Sequence, residues 1–150
     1  MALRCTSKVL GLLGVRQAEL AAHVPSDDDW YVNLLWIERR KCLLLTHVRT
    51  LFPILAADVR KADVVPVGPY VVGLVQRELR SEGLPFDAFG RLDGDAVRVA
   101  RTESRSMLAV MNNTASQLRY QVASMGGIGR AYIDVVSVEA SRPRRFEPET

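Results

Sequence analysis

Two short constellations in the sequence have residue types that could do chemistry, and both would bind anions. The first is Glu38-Arg39-Arg40-Lys41, where three adjacent cations lie in a polar break between two apolar runs. A protruding turn of this kind could grip phosphates. Three aromatic residues that could stack on bases lie nearby: Trp30, Tyr31 and Trp36. The simpler interpretation is favoured, namely a solvated turn that also discourages edge pairing with other chains.

The second constellation is Arg101-Thr102-Glu103-Ser104-Arg105-Ser106, between a predicted strand and a predicted long helix. A helix N-terminus presents unpaired N–H groups and partial positive charge, and Arg101 and Arg105 would strengthen anion binding there. Ser104 or Thr102 is expected to cap the helix in any case, so capping alone is the simpler interpretation. Further along, Asn112-Asn113-Thr114 places residues of poor helix propensity in mid-helix, which indicates either a functional surface or a wet helix face.

Metal and nucleophilic chemistry have little support in the residues. The two histidines, His23 and His47, have no carboxylate or cysteine at ligand spacing. The run Asp27-Asp28-Asp29 could bind a divalent cation, but a hydrated loop is favoured. Gly126-Gly127-Ile128-Gly129 follows a predicted helix, so these glycines are typical of a C-cap and not of a phosphate-binding loop. We therefore expect no metal and no cofactor.

Composition predicts one soluble globular domain. The chain has 150 residues, 48% apolar and 25% charged, which excludes a disordered, collagen-like or disulfide-scaffold protein. No apolar run approaches the roughly 18 residues of a membrane helix, and the N-terminus lacks a signal-peptide core, so we expect a cytoplasmic protein with no membrane partner. Of 20 basic residues 17 are Arg, and the whole net charge of +3 falls in residues 98–150.

Alternating and branched apolar runs predict the strands. Ala2–Cys5 is a short strand, and Trp30–Ile37 and Lys41–Val48 flank the basic turn as an antiparallel hairpin. Leu51–Ala56 is a third strand, which Pro53 confines to an edge or a bulge. Residues 96–101 form one more strand. Because the runs are apolar on both faces, both faces of the sheet need a cover. We expect helices to cover one face, and a partner is a candidate to cover the other.

Two helical stripes dominate the rest. Apolar residues at spacings of three and four predict helices at about 66–82, ended by Gly83, and at about 103–125. A short helix after Thr6 or Ser7 should end at Gly14. Residues 128–140 fit either a strand or a helix. Residues 141–150 are expected to form a mobile tail that is basic and contains proline. The free Cys5 and Cys42 should behave as small buried hydrophobes.

The order of several landmarks resembles a known family. These landmarks are Leu3-Arg4-Cys5-Thr6 with Lys8, Trp30-x-x-Asn33-Leu34-Leu35, Arg39-Arg40-Lys41, and Thr102-x-Ser104-Arg105-Ser106 followed by Met111-Asn112. Together they are similar to a widespread bacterial family of uncharacterised proteins, known mostly as a domain of unknown function. The resemblance covers roughly residues 1–125. It implies a small α+β cytoplasmic protein, and it supplies no activity and no catalytic residues.

These observations predict an α+β domain over residues 1–140, with an antiparallel sheet and both long helices packed on one face. The first functional hypothesis is a non-enzymatic binding module for nucleic acid or a protein partner, in a regulatory, mobile-element or defence setting. The second is a metal-independent enzyme, such as a ribonuclease-like toxin, using Arg, Ser and Asn side chains around residues 101–113. The third is a structural subunit that self-associates into a homo-oligomer through an uncovered sheet face.

Overall fold

A five-stranded mixed sheet lies between two layers of helices in the computed structural model, which describes residues 1–20 and 22–127. The strands are β1 (Ala2–Cys5), β2 (Trp30–Ile37), β3 (Arg40–His47), β4 (Pro53–Ala57) and β5 (Arg98–Arg101). Their order across the sheet is β4-β3-β2-β1-β5. The α+β class is therefore confirmed, and β4, with Pro53 as its first residue, is an edge strand as expected.

The prediction of a purely antiparallel sheet is wrong, because β1 is parallel to both of its neighbours. Leu3 is opposite Trp30 of β2 on one side and Val99 of β5 on the other. Parallel neighbours need a crossover of a dozen or more residues, which the 6–29 segment provides between β1 and β2. The 58–97 segment connects β4 at one edge of the sheet to β5 at the other, where β5 pairs with β1. Adjacent apolar runs in the sequence therefore identify the β2–β3–β4 meander, but the position of β1 between β2 and β5 arises from contacts between distant segments.

The helices are α1 (Ser7–Leu13), α2 (Lys61–Val64), α3 (Val67–Glu82) and α4 (Arg105–Ser124). Side chains of α1 and α3 pack on the sheet face formed by Trp30, Val32 and Leu34 of β2. Side chains of α4 pack on the opposite face with Tyr31, Leu35 and Ile37. The prediction that both long helices lie on one face is wrong, because strands that are apolar on both faces need a cover on each.

Several local predictions are confirmed at the helix and hairpin ends. Gly14 and Gly83 end α1 and α3 in the left-handed region, at φ 72° and 66°. Ser104 caps α4, and Gly126 and Gly127 follow its last turn at φ 93° and 116°. Such positive φ angles suit glycine because it has no Cβ to clash with the backbone. The predicted helix-or-strand segment 128–140 and the predicted tail 141–150 lie outside the described residues.

The β2–β3 hairpin closes with two residues. Glu38 and Arg39 have φ of 52° and 68°, so the turn is of the type whose twist matches antiparallel strands. The prediction of a hairpin with a polar, basic tip is confirmed. Within residues 1–20 and 22–127, none of the helices has the length and apolar character needed to cross a bilayer.

His47, at the end of β3, is completely buried in an aromatic cluster. Its ring centroid lies 5.0 Å from those of Trp30 and Phe89. Nδ1 lies 3.0 Å from Thr50 Oγ1, and Nε2 lies 3.2 Å from Asp28 Oδ1 without the alignment of a hydrogen bond. Burial, assisted by the positive charge of Arg49, lowers the pKa of His47 to about 4.

The neutral His47 should make the fold sensitive to acid. Between pH 6.5 and about 4 the unfolded chain binds a proton on this ring and the folded chain does not. The free energy of unfolding therefore falls with falling pH, by up to about 1.4 kcal/mol per pH unit from this group, or roughly 3 kcal/mol in all. Urea unfolding at a series of pH values measures this pH dependence of the free energy of unfolding. His47→Gln should flatten the slope and His23→Gln should not; equal slopes in the two variants would contradict this assignment.

Candidate functional site

A buried ion pair between Arg4 and Asp29 lies at the carboxyl end of β1. The Arg4 side chain is 3% exposed, and its Nε lies 3.4 Å from Asp29 Oδ2. Its other nitrogens donate to the carbonyls of His23, at 2.8 Å, and Arg101, at 3.2 Å. Glu103 Oε2 is 3.5 Å from Nη1. This guanidinium therefore connects β1 to the loop before β2, to the end of β5 and to the segment that begins α4.

Asp29 completes the cluster with backbone contacts. Oδ1 accepts from the Ala2 N–H at 2.9 Å, and Oδ2 accepts from the Ser26 N–H at 3.0 Å. A buried carboxylate with a cation and two N–H donors has its charge fully compensated. The carboxylate next to it, Asp28, pairs instead with Arg49 at 3.1 Å. The Asp27-Asp28-Asp29 run thus contains at least two residues with separate structural roles.

The N-terminus of α4 is capped by protein groups. Ser104 Oγ accepts from the Met107 N–H at 3.1 Å. The Tyr31 hydroxyl accepts from the N–H groups of Glu103 and Ser104, at 3.2 and 2.9 Å. The capping interpretation of Ser104 is confirmed, while Arg101 and Arg105 are exposed. Clefts of about 230 and 270 Å³ flank Arg4, but Glu103 lines both, which makes them poor sites for an anion.

The basic hairpin tip is partly compensated. Arg40 Nη1 lies 2.7 Å from Asp58 Oδ2, and Lys41 Nζ lies 5.8 Å from the centre of the Trp36 ring. Of the predicted stacking residues, Trp30 and Tyr31 are buried in the core, so that prediction is wrong for them. Trp36 is 53% exposed.

A groove of about 370 Å³ lies beside the second half of β2, between the first turn of α1 and the middle of α4. We call it the β2 groove. Its lining residues are Lys8, Asn33, Leu34, Leu35, Trp36, Asn112, Ala115, Ser116 and Arg119. Among these described residues there are two cations and two side-chain amides, and there is no Asp or Glu. The groove therefore presents mainly hydrogen-bond donors and positive charge.

One flank of α4 supplies most of the polar wall. Arg105, Asn112, Ser116 and Arg119 follow one another at spacings of seven, four and three, so they lie along one side of the helix. Asn112, a predicted site residue, lines the groove. Asn113 is one residue further round and points away from the sheet. Arg105 lies about 10 Å before Asn112 along the helix axis, so it could extend the same basic wall.

None of the described residues that line the groove is a His, Cys, Asp or Glu. His47 is buried elsewhere, and the described residues contain no group of three or more His, Cys, Asp and Glu side chains that could hold a metal ion. Cys5 and Cys42 are buried and unpaired, and burial raises the pKa of Cys5 to about 12, which keeps it a neutral thiol. The prediction that both cysteines behave as small hydrophobes is confirmed.

The fold and the groove define a small α+β protein with a basic, donor-rich groove beside the second half of β2. The chain belongs to the family described as Domain of unknown function (DUF6933), whose model matches residues 2–144. No curated protein matches the chain.

The sequence identifies only part of this site. It points to Asn112 as a site residue and to Trp36 as a stacking residue, but it gives no binding role to Lys8, Ser116 or Arg119. One available signal is Asn33, a polar residue within the apolar run of β2. The other is the seven-four-three spacing of polar residues on α4. Neither signal reveals that α1 and α4, on opposite faces of the sheet, both line the groove beside β2.

The Arg4 cluster gives a stability prediction. Arg4→Met keeps the volume but leaves Asp29 buried without its cation, which should lower the free energy of unfolding by about 3–5 kcal/mol. Chemical denaturation measures the loss. Arg16→Met, which breaks the exposed pair of Arg16 with Glu19, is the matched control and should leave the unfolding midpoint nearly unchanged. Equal effects of the two substitutions would contradict the role given to Arg4.

Proposed function

We propose that this protein is a non-enzymatic binding module whose partner is negatively charged and lies in the β2 groove. The observation that carries the proposal is the composition of the groove: Lys8 and Arg119 line it, and no described carboxylate does. Cations that face one another without a carboxylate between them repel, and an anionic ligand relieves that repulsion.

Hydrogen-bond donors in the groove support the same proposal. The side-chain amides of Asn33 and Asn112 and the hydroxyl of Ser116 accompany the two cations. Such groups fix the position of an anionic chain after long-range attraction has brought it near. Arg39, at the tip of the hairpin, adds an exposed cation beyond the end of β2.

A non-enzymatic role is supported by the chemistry of the lining. Its titratable groups are an ammonium and a guanidinium, and no imidazole, thiol or carboxylate stands among the described lining residues as a general base. The enzyme hypothesis based on residues 101–113 stays a prediction. The cytoplasmic location and the regulatory, mobile-element or defence setting also stay predictions.

The structure removes the reason for the self-association hypothesis. It assumed that one apolar face of the sheet was uncovered, whereas α1 and α3 cover one face and α4 covers the other. A second copy of the chain is not needed to bury either face.

Binding of polyanions over a salt series tests the proposal. A fluorescent single-stranded oligonucleotide and a fluorescent acidic peptide are titrated with the full chain and followed by anisotropy. At least one should bind at low salt, with an affinity that falls as salt rises. Lys8→Gln combined with Arg119→Gln should weaken binding about tenfold or more, since each change removes a charge-assisted contact.

A matched control neutralises charges elsewhere. Arg77→Gln with Arg80→Gln removes two exposed cations from α3, which contributes no residue to the groove, and lowers the net charge equally. This variant should bind like the unmodified chain. If neither probe binds at low salt, or if both double variants weaken binding equally, the β2 groove is not the binding site.

A further inference from the structure

We infer that the β2 groove takes an acidic protein segment in extended conformation, which adds to the sheet as a strand parallel to β2. This inference rests on the proposed function and names the class of its partner. It is carried by the backbone of β2, because the strand pairing on one side of β2 stops halfway along its length.

The hydrogen bonds between β1 and β2 show where this strand pairing ends. The Thr6 N–H donates to the Val32 carbonyl at 3.1 Å, and the chain then turns into α1 at Ser7. Backbone groups of one strand residue point to the same side, so the groups of Leu34 and Trp36 point to this side as well. The groups of Leu35 and Ile37 point the other way, to Cys42 and Arg40 of β3.

Two side chains replace part of the missing strand. Asn33 Oδ1 accepts from the Leu34 N–H at 2.9 Å and from the Thr6 hydroxyl at 3.0 Å. Arg119 donates from Nε and Nη2 to the Trp36 carbonyl, both at 3.4 Å. Two groups remain between them, the Leu34 carbonyl and the Trp36 N–H, with no partner among residues 1–20 and 22–127.

This remaining pair has the pattern that a parallel strand requires. A peptide residue placed opposite Leu35 would donate its N–H to the Leu34 carbonyl and accept from the Trp36 N–H. Burial of an extended segment there would satisfy both groups at once.

The walls of the groove specify the side chains of the segment. Alternate residues of an added strand would face α1 and α4 in turn. Lys8 is exposed on the α1 side, and Arg119 and Asn112 are exposed on the α4 side. Neighbouring acidic residues would therefore each meet a cation. The charge of the groove thus favours an acidic segment over a neutral or basic one.

The same features favour a peptide over a nucleic acid. The phosphates of a nucleic acid have no donor for the Leu34 carbonyl, and the sugar–phosphate backbone of DNA has none at all, whereas a peptide backbone has an N–H at every residue except proline. Trp36, the exposed aromatic residue here, points to the α1 side of the sheet, and Lys41 lies against its ring. That ring is therefore a poor platform for stacking bases.

Three short labelled peptides test the inference against the full chain by anisotropy. The first has adjacent Glu residues flanked by Val, so that acidic side chains face both walls of the groove. The second has Gln for Glu, and the third keeps Glu but is N-methylated along its backbone. The first should bind best. The second should lose affinity because it lacks charge, and the third should lose about tenfold or more because it lacks the N–H donors.

Two variants of the chain measure the contribution of the Trp36 N–H to peptide binding. Trp36→Val removes the ring and keeps the donor, whereas Trp36→Pro removes both, at a position where the N–H does not pair with β3. The Pro variant should bind the first peptide about tenfold more weakly than the Val variant. Circular dichroism checks that both fold, and the N-methylated peptide gives an answer that needs no variant.

The outcomes separate the inference from the proposed function. Equal binding of the N-methylated and unmodified acidic peptides, or equal binding by the Val and folded Pro variants, would overturn strand addition and leave a charge-based module. Binding of the single-stranded oligonucleotide without binding of the acidic peptide would overturn the peptide but keep the proposed function. If no polyanion binds at low salt, both the inference of strand addition and the proposed function are wrong.

Discussion

The difference in length between β1 and β2 is the constraint on which the site depends. The Thr6 N–H makes the last backbone hydrogen bond to β2 on this side, at the Val32 carbonyl, while β2 continues to Ile37. A sheet strand that is paired on one side over half its length leaves backbone groups exposed within the fold. Helices α1 and α4 lie on either side of this gap, so the exposed edge becomes the floor of a groove with polar and positively charged walls.

The position of β1 is itself fixed by charge. Hydrophobic burial orders most of the sheet, but β1 has only four residues and one of them is Arg4. The buried contacts of Arg4 with Asp29 and with the carbonyls of His23 and Arg101 hold this short strand between β2 and β5. A buried guanidinium is costly unless fully paired, and its directional bonds leave one arrangement of these segments favourable. The gap beside β2 follows from that arrangement.

The sequence predicted what depends on local pattern. The hairpin around Glu38 and Arg39, the helix ends at Gly14 and Gly83, and the cap at Ser104 each follow from neighbouring residues. The parallel pairing of β1 and the opposite placement of α3 and α4 depend on contacts between distant segments, which periodicity does not encode. The groove could not be predicted from the sequence for the same reason, since Lys8, Asn33 and Arg119 belong to three elements that come together only in the folded chain. Family membership adds no role for any of these residues.

Amide hydrogen exchange of β2 in the free 150-residue chain tests the central claim most directly. If the edge is open, the Trp36 N–H should exchange much faster than those of Leu35 and Ile37, which pair with β3. Equal protection of all three amides would mean that the edge is already covered in the free protein. The groove would then not be available to a partner, and the account of the site would be wrong.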